Sequence, residues 1–427
     1  MNSLEIEPIA QALNASVRVP GSKSLTNRAL LMAALAGGRT TLTNALFSDD
    51  SRYFAQALSA LGFEVQADEP AATISVLGQG GRIPAASAEL FIGNAGTAAR
   101  FLTALLTLGH GSYGLDGSPR MRERPLADLL DALRQLGAQV ESPTGCPPVA
   151  VTAAGLPGGQ ARVAGDVSSQ YLSGLLLIAP YAETPVELLV ERGLNSQPYV
   201  DLTVAIMADF GVQVVREGYE RFCVQPARYQ PQPRYAIESD ASAASYFLAA
   251  PAILGGTVRV ENFSRRSRQG DVAFVDVLVQ MGCTVAEWGN GLAVTGPAPG
   301  ALRGVEVDMR HIPDTAQTLA AIAPFANSPT VIRGIASARV KETDRVAAMC
   351  TELRRLGVSV EEYPDGLKIY PAEHIAPVTV KTYEDHRMAM AFALTGLRSE
   401  GVAIENPGCV AKTFPNFFDV LNELRTG

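Results

Sequence analysis

One tryptophan, four histidines and five cysteines in 427 residues narrow the chemistry before any motif is read. The cysteines, Cys146, Cys223, Cys283, Cys350 and Cys409, are scattered, odd in number and never in a CxxC pair. That spacing argues against a zinc ribbon or a dithiol centre and predicts free thiols in a reducing compartment. No histidines stand in HxH or HExxH spacing, so no metal is expected. Charge is sparse as well: 18% of residues are charged and the net charge is -8. Such a chain does not attract nucleic acid or an acidic membrane through its overall field. No apolar run reaches the length of a membrane span; the longest, around Leu172 to Tyr181, carries Ser173 and Pro180. The N-terminus, MNSLEIEPIA, is acidic where a secretory signal is basic, and no apolar region follows. The expectation is a cytoplasmic protein with no nucleic-acid or membrane partner.

What the chain has is repetition. An amphipathic helix ending in Gly, followed by an alternating strand, recurs as FAQALSALGFEV, LLDALRQLGAQV, TVAIMADFGVQV, VDVLVQMGCTV, MCTELRRLGVSV and a truncated FDVLNELRTG. The glycines, Gly62, Gly137, Gly211, Gly282, Gly357 and Gly427, are 75, 74, 71, 75 and 70 residues apart. Gly at that place predicts a left-handed helix terminus. A second series keeps the same beat: Ala29 to Ala36, Phe101 to Leu108, Leu172 to Ala179, Tyr246 to Leu254, Leu319 to Phe325 and Met388 to Leu397 are apolar nearly all round. Helices with no polar face must be buried on all sides. Short alternating strands follow them, such as TTLTNAL, PVELLVE and TVRVENF.

Each repeat therefore reads βαβαββ. The period exceeds that of solenoid repeats, so the repeats are closed blocks. Three blocks can bury three apolar helices behind their sheets, and six make two α/β domains. The Pro-rich stretch Ala227 to Ser239 is the linker expected between the third and fourth repeats. The expected domains are 21–239, and 1–20 with 240–427, with the active site in the cleft between them. The pattern IEPIAQALNASVRV near the N-terminus predicts strands that complete the last repeat.

Cations stand where the helix dipole disfavours them, at a cost of ~0.3–1 kcal/mol each. Lys23 and Arg28 open the first apolar helix, Arg100 follows GNAGTA, and Arg387 follows Asp385. Arg124 precedes Pro125 at an expected first helical position; Lys341 and Arg345 open another helix, and Lys412 precedes Thr413. Polar caps accompany them: Ser22, Ser24, Asn94, Thr97, Ser168, Ser169, Asp240, Asp314 and Asp385. Amides and cations gathered at one pole suit a substrate with two or three negative charges. Each motif alone has a plainer reading. A cation at a helix start often pairs with a neighbouring carboxylate; Asp314 after Pro313 is an N-cap; Glu342 beside Lys341 is an exposed pair; Tyr199 and Trp288 are packing residues. GSKS lacks the GxxxxGK[ST] spacing of a nucleotide loop. Recurrence at matching positions favours the functional reading.

At GSKSLTNRALL, GNAGTAAR, PRMRERP, VSSQYL, RVKETDR, YEDHRMAMAF and AKTFP the sequence resembles the 5-enolpyruvylshikimate-3-phosphate (EPSP) synthases of the shikimate pathway to aromatic amino acids. The resemblance runs from about Pro8 to the C-terminus. It implies a two-domain inside-out α/β barrel and transfer of enolpyruvyl from phosphoenolpyruvate to the 5-hydroxyl of shikimate 3-phosphate, with release of phosphate. It implies no metal and no organic cofactor, and a monomer acting on two small anionic substrates. By motif, Lys23, Ser24, Arg28, Ser168, Ser169, Gln170, Ser196, Tyr199, Asp314, Ser337 and Lys341 would hold shikimate 3-phosphate. Lys23, Gly96, Arg124, Gln170, Arg345, Arg387 and Lys412 would hold phosphoenolpyruvate. The catalytic assignments are Asp314 as base at the hydroxyl, Glu342 as proton donor to the methylene, and Lys23 assisting departure of phosphate. A carboxylate among cations suits a base better than an acid, so Glu342 needs a drier or more acidic setting.

Where the family commonly reads Met-Arg-Pro after GNAGTA, this chain has Ala99, Arg100 and Phe101, and Ser337 stands where Asn is common. A ring in place of Pro predicts an altered pocket beside Gly96 and altered sensitivity to glyphosate, which occupies the phosphoenolpyruvate site. Two other readings remain open. Enolpyruvyl transferases acting on UDP-N-acetylglucosamine carry a loop cysteine, which the stretch from Gly111 to Arg124 lacks. A non-catalytic anion-binding homologue would be expected to lose Asp314, Glu342 or Lys23.

Overall fold

All six apolar stretches form helices in the computed structural model, which describes residues 3–425. They are Lys23–Leu35, Gly96–Leu106, Ser169–Ile178, Ala241–Leu254, Ala316–Ile322 and His386–Arg398. Every residue of Gly96–Leu106 and of Ala241–Leu254 is buried, as helices without a polar face require. The fifth ends three residues early, and Ala323–Phe325 continues as a tight turn around Pro324.

The second repeat shows the plan. Strand Ser87–Phe91, buried helix Gly96–Leu106 and strand His110–Asp116 form a parallel crossover. The outer helix Ala127–Gln135 then leads into Gln139–Glu141 and Val149–Ala154, which pair antiparallel. Five such sheets have four strands and the last has three; hydrogen bonding runs within each sheet and does not join one described sheet to another. Gly62, Gly137, Gly211, Gly282 and Gly357 all take positive φ, from 82° to 106°, at the ends of the outer helices. Gly427 lies outside the described residues.

The chain divides into two compact units. The middle unit runs from Gly21 to Ile237; the terminal unit combines the chain up to Pro20 with the chain from Glu238 onward. In each, three buried helices pack on one another within that unit's three sheets. Leu30, Leu105 and Leu176 share the core of the middle unit, and Phe247, Leu319 and Phe392 that of the terminal unit.

The two units have exchanged their leading strands. Strand Leu13–Val17 precedes the first buried helix in sequence but pairs parallel with Gly256–Val260 of the fourth repeat. Strand Tyr235–Ala236 precedes the fourth buried helix but pairs parallel with Gly37–Thr43 of the first. The N-terminal pattern therefore does not complete the last repeat as a whole. Its strand Leu13–Val17 leads the fourth repeat, because Leu13, Ala15 and Val17 point inward beside Val258 and Val260. The first residues of the pattern do stay with the last repeat: Ile6 N donates to Val402 O at 2.9 Å and Ile9 N to Leu397 O at 2.8 Å, continuing the pairing of Ser3–Glu5 with Ala403–Glu405.

The Pro-rich stretch is not a free linker either. Tyr229 is buried with its hydroxyl donating to Leu177 O at 2.9 Å, and Gln232 Nε2 donates to Asp209 O at 2.8 Å. The chain passes to the other unit only after Ile237, two residues before Ser239. All five cysteines are unpaired. Among the described residues no helix is long and apolar enough to cross a membrane.

Candidate active site

The polar helix starts of the middle unit gather three small groups of side chains. Ser22 caps the helix Lys23–Leu35 by accepting from Leu25 N at 3.4 Å. Lys23 Nζ lies 3.5 Å from Asp50 Oδ2, and Asp50 is almost wholly buried. Arg28 is enclosed. Its Nε donates to Thr203 Oγ1 at 2.8 Å, Nη1 to Ser24 O at 3.0 Å, and Nη2 to Tyr199 O at 3.1 Å. Its guanidinium carbon stands 5.2 Å from the centre of the Phe101 ring. Burial lowers the Arg28 guanidinium to about 10, with Tyr199 opposing the shift.

The third group surrounds Gly96. Arg124 Nη1 donates to Asn94 O and Oδ1, both at 3.1 Å. A Cβ on Gly96 would stand 2.4 Å from Arg124 Nη2, so the absent side chain is what admits the guanidinium. Gln170 Nε2 donates to Thr97 Oγ1 at 3.3 Å, and Ser168 caps the helix Ser169–Ile178 by accepting from Gln170 N at 3.2 Å. Ser169 is buried. Ser196 takes left-handed φ at the start of the helix Gln197–Asp209, and its carbonyl accepts from Tyr199 N at 3.1 Å.

In the terminal unit one ion network joins most of the expected residues. Asp314 Oδ1 accepts from Lys341 Nζ at 2.5 Å and from Arg345 Nη1 at 3.1 Å; its Oδ2 accepts from Arg387 Nη2 at 2.8 Å. Arg345 also donates to Glu342 Oε2 at 2.8 Å and to Asp385 Oδ2 at 2.7 Å. Lys412 Nζ lies 3.3 Å from Glu342 Oε1. Asp385 caps the helix His386–Arg398, accepting from Arg387 N at 2.9 Å. Burial works against the charge on Arg345, but Asp385, Glu342 and Asp314 outweigh it and raise its guanidinium above the ordinary value. Burial lowers the Lys341 ammonium, against the pull of Asp314. Ser337 lies in the turn Ala336–Val340, half-buried and apart from these bonds.

Pairing of cations with carboxylates, the plainer reading of the sequence, is thus met at Lys23, Lys341, Arg345, Arg387 and Lys412. Among their partners are Asp314 and Glu342, the two carboxylates singled out for chemistry. Several local expectations need correction. Asp314 sits in the turn Pro313–Thr315 and makes ion pairs, not a cap. Glu342 is buried and pairs with Arg345 and Lys412, because the chain turns between Lys341 and the helix Arg345–Arg355. Arg124 ends the short turn Met121–Glu123 and is no helix start, since the next helix begins at Ala127. Arg100 donates to Pro125 O at 2.7 Å and Gly96 O at 3.1 Å, serving backbone carbonyls. Trp288 is 46% exposed beneath Arg259, a surface residue and no packing one. The ring of Phe101 packs on Arg28, whereas the atoms nearest a Gly96 Cβ all belong to Arg124.

Sequence reasoning missed Asp50 beside Lys23, Ser173 and Thr203, which accept from Arg28, Ser242 and Tyr246, which accept from Arg387, and Asp271, which accepts from Ser242. Asp50 carried a faint signal in the acidic pair opening the helix Asp49–Ala60. The others stand inside elements whose polar residues look incidental until the helices are brought together.

Residues 8–421 match the family described as EPSP synthase (3-phosphoshikimate 1-carboxyvinyltransferase). A 3-phosphoshikimate 1-carboxyvinyltransferase of Nostoc punctiforme is 51% identical over 421 residues, covering 98% of each chain. One from Shewanella sp. (strain W3-18-1) is 49% identical over 422 residues, again 98% of each. A solved EPSP synthase from Acinetobacter baumannii superposes with a TM-score of 0.81 at 26% identity, covering 99% of this chain and 98% of that one. With repeats, helix-start motifs and ion network in agreement, the chain belongs to the EPSP synthase family.

Proposed function

We propose that this chain is a 3-phosphoshikimate 1-carboxyvinyltransferase that moves enolpyruvyl from phosphoenolpyruvate to the 5-hydroxyl of shikimate 3-phosphate. The observation that carries the reading is the single network in which Arg345 bridges Asp314 and Glu342, with Lys341, Arg387 and Lys412 around them. Relatives matched over 98% of their length carry the same activity in their names, which leaves the UDP-N-acetylglucosamine reading without support. Retention of Asp314, Glu342 and Lys23 speaks against a non-catalytic homologue.

In this reading Asp314 takes the proton of the 5-hydroxyl as that oxygen bonds to the central carbon of phosphoenolpyruvate. Glu342 delivers a proton to the methylene, which becomes a methyl group. The tetrahedral intermediate then loses phosphate, aided by Lys23, while a methyl proton returns to the protein. Arg124, Arg345 and Arg387 are assigned, as planar forks, to the carboxylate and phosphate of phosphoenolpyruvate, and Gly96, Gln170 and Lys412 are assigned to the same substrate. Ser24, Arg28, Ser168, Ser169, Gln170, Ser196, Tyr199, Ser337 and Lys341 are assigned to shikimate 3-phosphate, with Lys23 shared. Substrate anions would draw Arg345 and Lys412 from Glu342 and free it for proton transfer. Acid–base groups of this kind contribute about 10²–10⁴-fold, and orientation of the two substrates supplies much of the rest.

Phosphate release with both substrates present is the test. Asp314→Asn is expected to abolish turnover while shikimate 3-phosphate affinity stays within about tenfold, ~1.4 kcal/mol. Surviving turnover would show that another group is the base. The reading also has the enzyme working as a cytoplasmic monomer, for which a single 45.1 kDa species in light scattering is the check. Phe101 alters glyphosate sensitivity in this proposal. Equal inhibition constants for the wild type and Phe101→Pro would remove that part.

A further inference from the structure

The mechanism leaves the buried carboxylate Asp271 of the terminal unit without a task. Asp271 lies in the tight turn Gly270–Ala273 and is 4% exposed. The turn is fastened to the start of the helix Ala241–Leu254: Gln269 Oε1 accepts from Ala241 N at 3.1 Å, and Gln269 Nε2 donates to Ser239 O at 2.7 Å. Asp271 itself accepts a hydrogen bond from the hydroxyl of Ser242, in the first turn of that helix. The Ser242 oxygen in turn accepts from Arg387 Nη2 at 3.4 Å. That same nitrogen reaches Asp314 Oδ2 at 2.8 Å, and Arg387 Nη1 lies 3.5 Å from the hydroxyl of Tyr246, one turn further along the helix.

A hydroxyl has one proton to give. With Asp271 taking it, the lone pairs of Ser242 are turned toward the guanidinium. Without that acceptor the hydroxyl is free to rotate and present its proton to Arg387 instead. The buried carboxylate thus sets the direction of a bond it does not make, and the chain runs Asp271, Ser242, Arg387, Asp314.

We propose that Asp271 is a positioning residue which, through the Ser242 hydroxyl, fixes Arg387 in the orientation from which its guanidinium meets both Asp314 and phosphoenolpyruvate. The inference rests on the assignment of Arg387 to phosphoenolpyruvate made above. Asp271 touches neither substrate.

Three variants test it: Asp271→Ala, which removes the acceptor, Ser242→Ala and the two combined. Each single change is expected to lower kcat/KM for phosphoenolpyruvate about tenfold and leave KM for shikimate 3-phosphate within about twofold. The pair acts as one unit, so the double variant falls no further than the worse single one. Additive losses, or equal losses for both substrates, would overturn the proposal. A crystal structure of Asp271→Ala supplies a readout independent of activity: Arg387 Nη2 is expected to leave Ser242. An unmoved guanidinium overturns the proposal whatever the kinetics show. A wild type inactive on the two substrates would instead sink the functional reading, while the position of Arg387 in the variant would still decide the structural claim.

Discussion

Position 96 has room for a hydrogen and nothing larger. A Cβ there would stand 2.4 Å from Arg124 Nη2 and 2.8 Å from its Cζ. The far end of a flexible side chain yields before backbone does, so Gly96→Ala moves Arg124 away from Asn94 and leaves the helix in place. KM for phosphoenolpyruvate is expected to rise at least about tenfold, ~1.4 kcal/mol, with KM for shikimate 3-phosphate little changed. Steady-state phosphate release checks this, and equal KM values would take Arg124 out of that subsite. Asp271 gives a second expectation, in stability. Burial first, and then the nearby Asp314, raise its carboxyl from 3.8 to about 6, with Asp240 adding to the shift and Arg387 and Ser242 opposing it. Between those values the folded chain keeps a proton that the unfolded chain has released. Stability therefore falls as pH rises through that window, by on the order of 2–3 kcal/mol. Asp271→Asn avoids the buried charge, so it should melt above the wild type at pH 7.5, and the difference should shrink toward pH 4.5. A constant difference across that range in thermal denaturation would count against the shifted carboxyl. Lys23 and Arg124 were legible as chemically interesting because a cation at an expected helix start breaks a local rule, whereas Asp314 read as an ordinary cap and stood out only through the family resemblance. Ser242 and Asp271 break none, and only their contact with each other and with Arg387 gives them meaning.

Helices and turns were the more legible scale. An all-apolar helix has no stable place but an interior, and all six are interior. Gly137 and Gly211 show what periodicity could and could not say. Both end an outer helix at positive φ, 90° and 86°. A Cβ at 137 would also meet Pro157 Cγ at 2.8 Å, whereas at 211 it would meet only the flexible Gln230 side chain at 3.1 Å. Gly211→Ala is expected to cost about 1 kcal/mol, the left-handed penalty alone, and Gly137→Ala about twice that. Urea denaturation of the two variants measures the difference, and equal midpoints would refute the contribution of Pro157. The glycine beat foretold the turn; nothing in it foretold the proline behind one of them. Similarly, Pro231 and Pro233 suggested an unstructured connection, but Tyr229 and Gln232 anchor that stretch through their side chains.

At the scale of the whole molecule, the exchanged strands make a prediction that no single repeat contains. Residues 21–237 include their own first leading strand, Tyr235–Ala236, and so possess all three of their sheets. Residues 238–427 alone lack Leu13–Val17 and expose the parallel edge of Gly256–Val260. Expressed separately, 21–237 is expected to unfold cooperatively, while 238–427 should aggregate or remain unfolded unless a peptide spanning residues 1–20 is supplied. Circular dichroism melts of the two fragments, with and without peptide, decide it; a stable 238–427 fragment would show that the strand is dispensable. By itself the sequence determined the number of repeats and the burial of one helix in each, because periodic hydrophobicity and turn glycines are local properties written along the chain, and its short motifs carried the family resemblance. The tertiary structure alone decided which sheet receives each terminal strand, which carboxylate answers each cation, and that Asp271 reaches Arg387. Those outcomes depend on residues far apart in sequence becoming neighbours, and no local spacing encodes a distance between them.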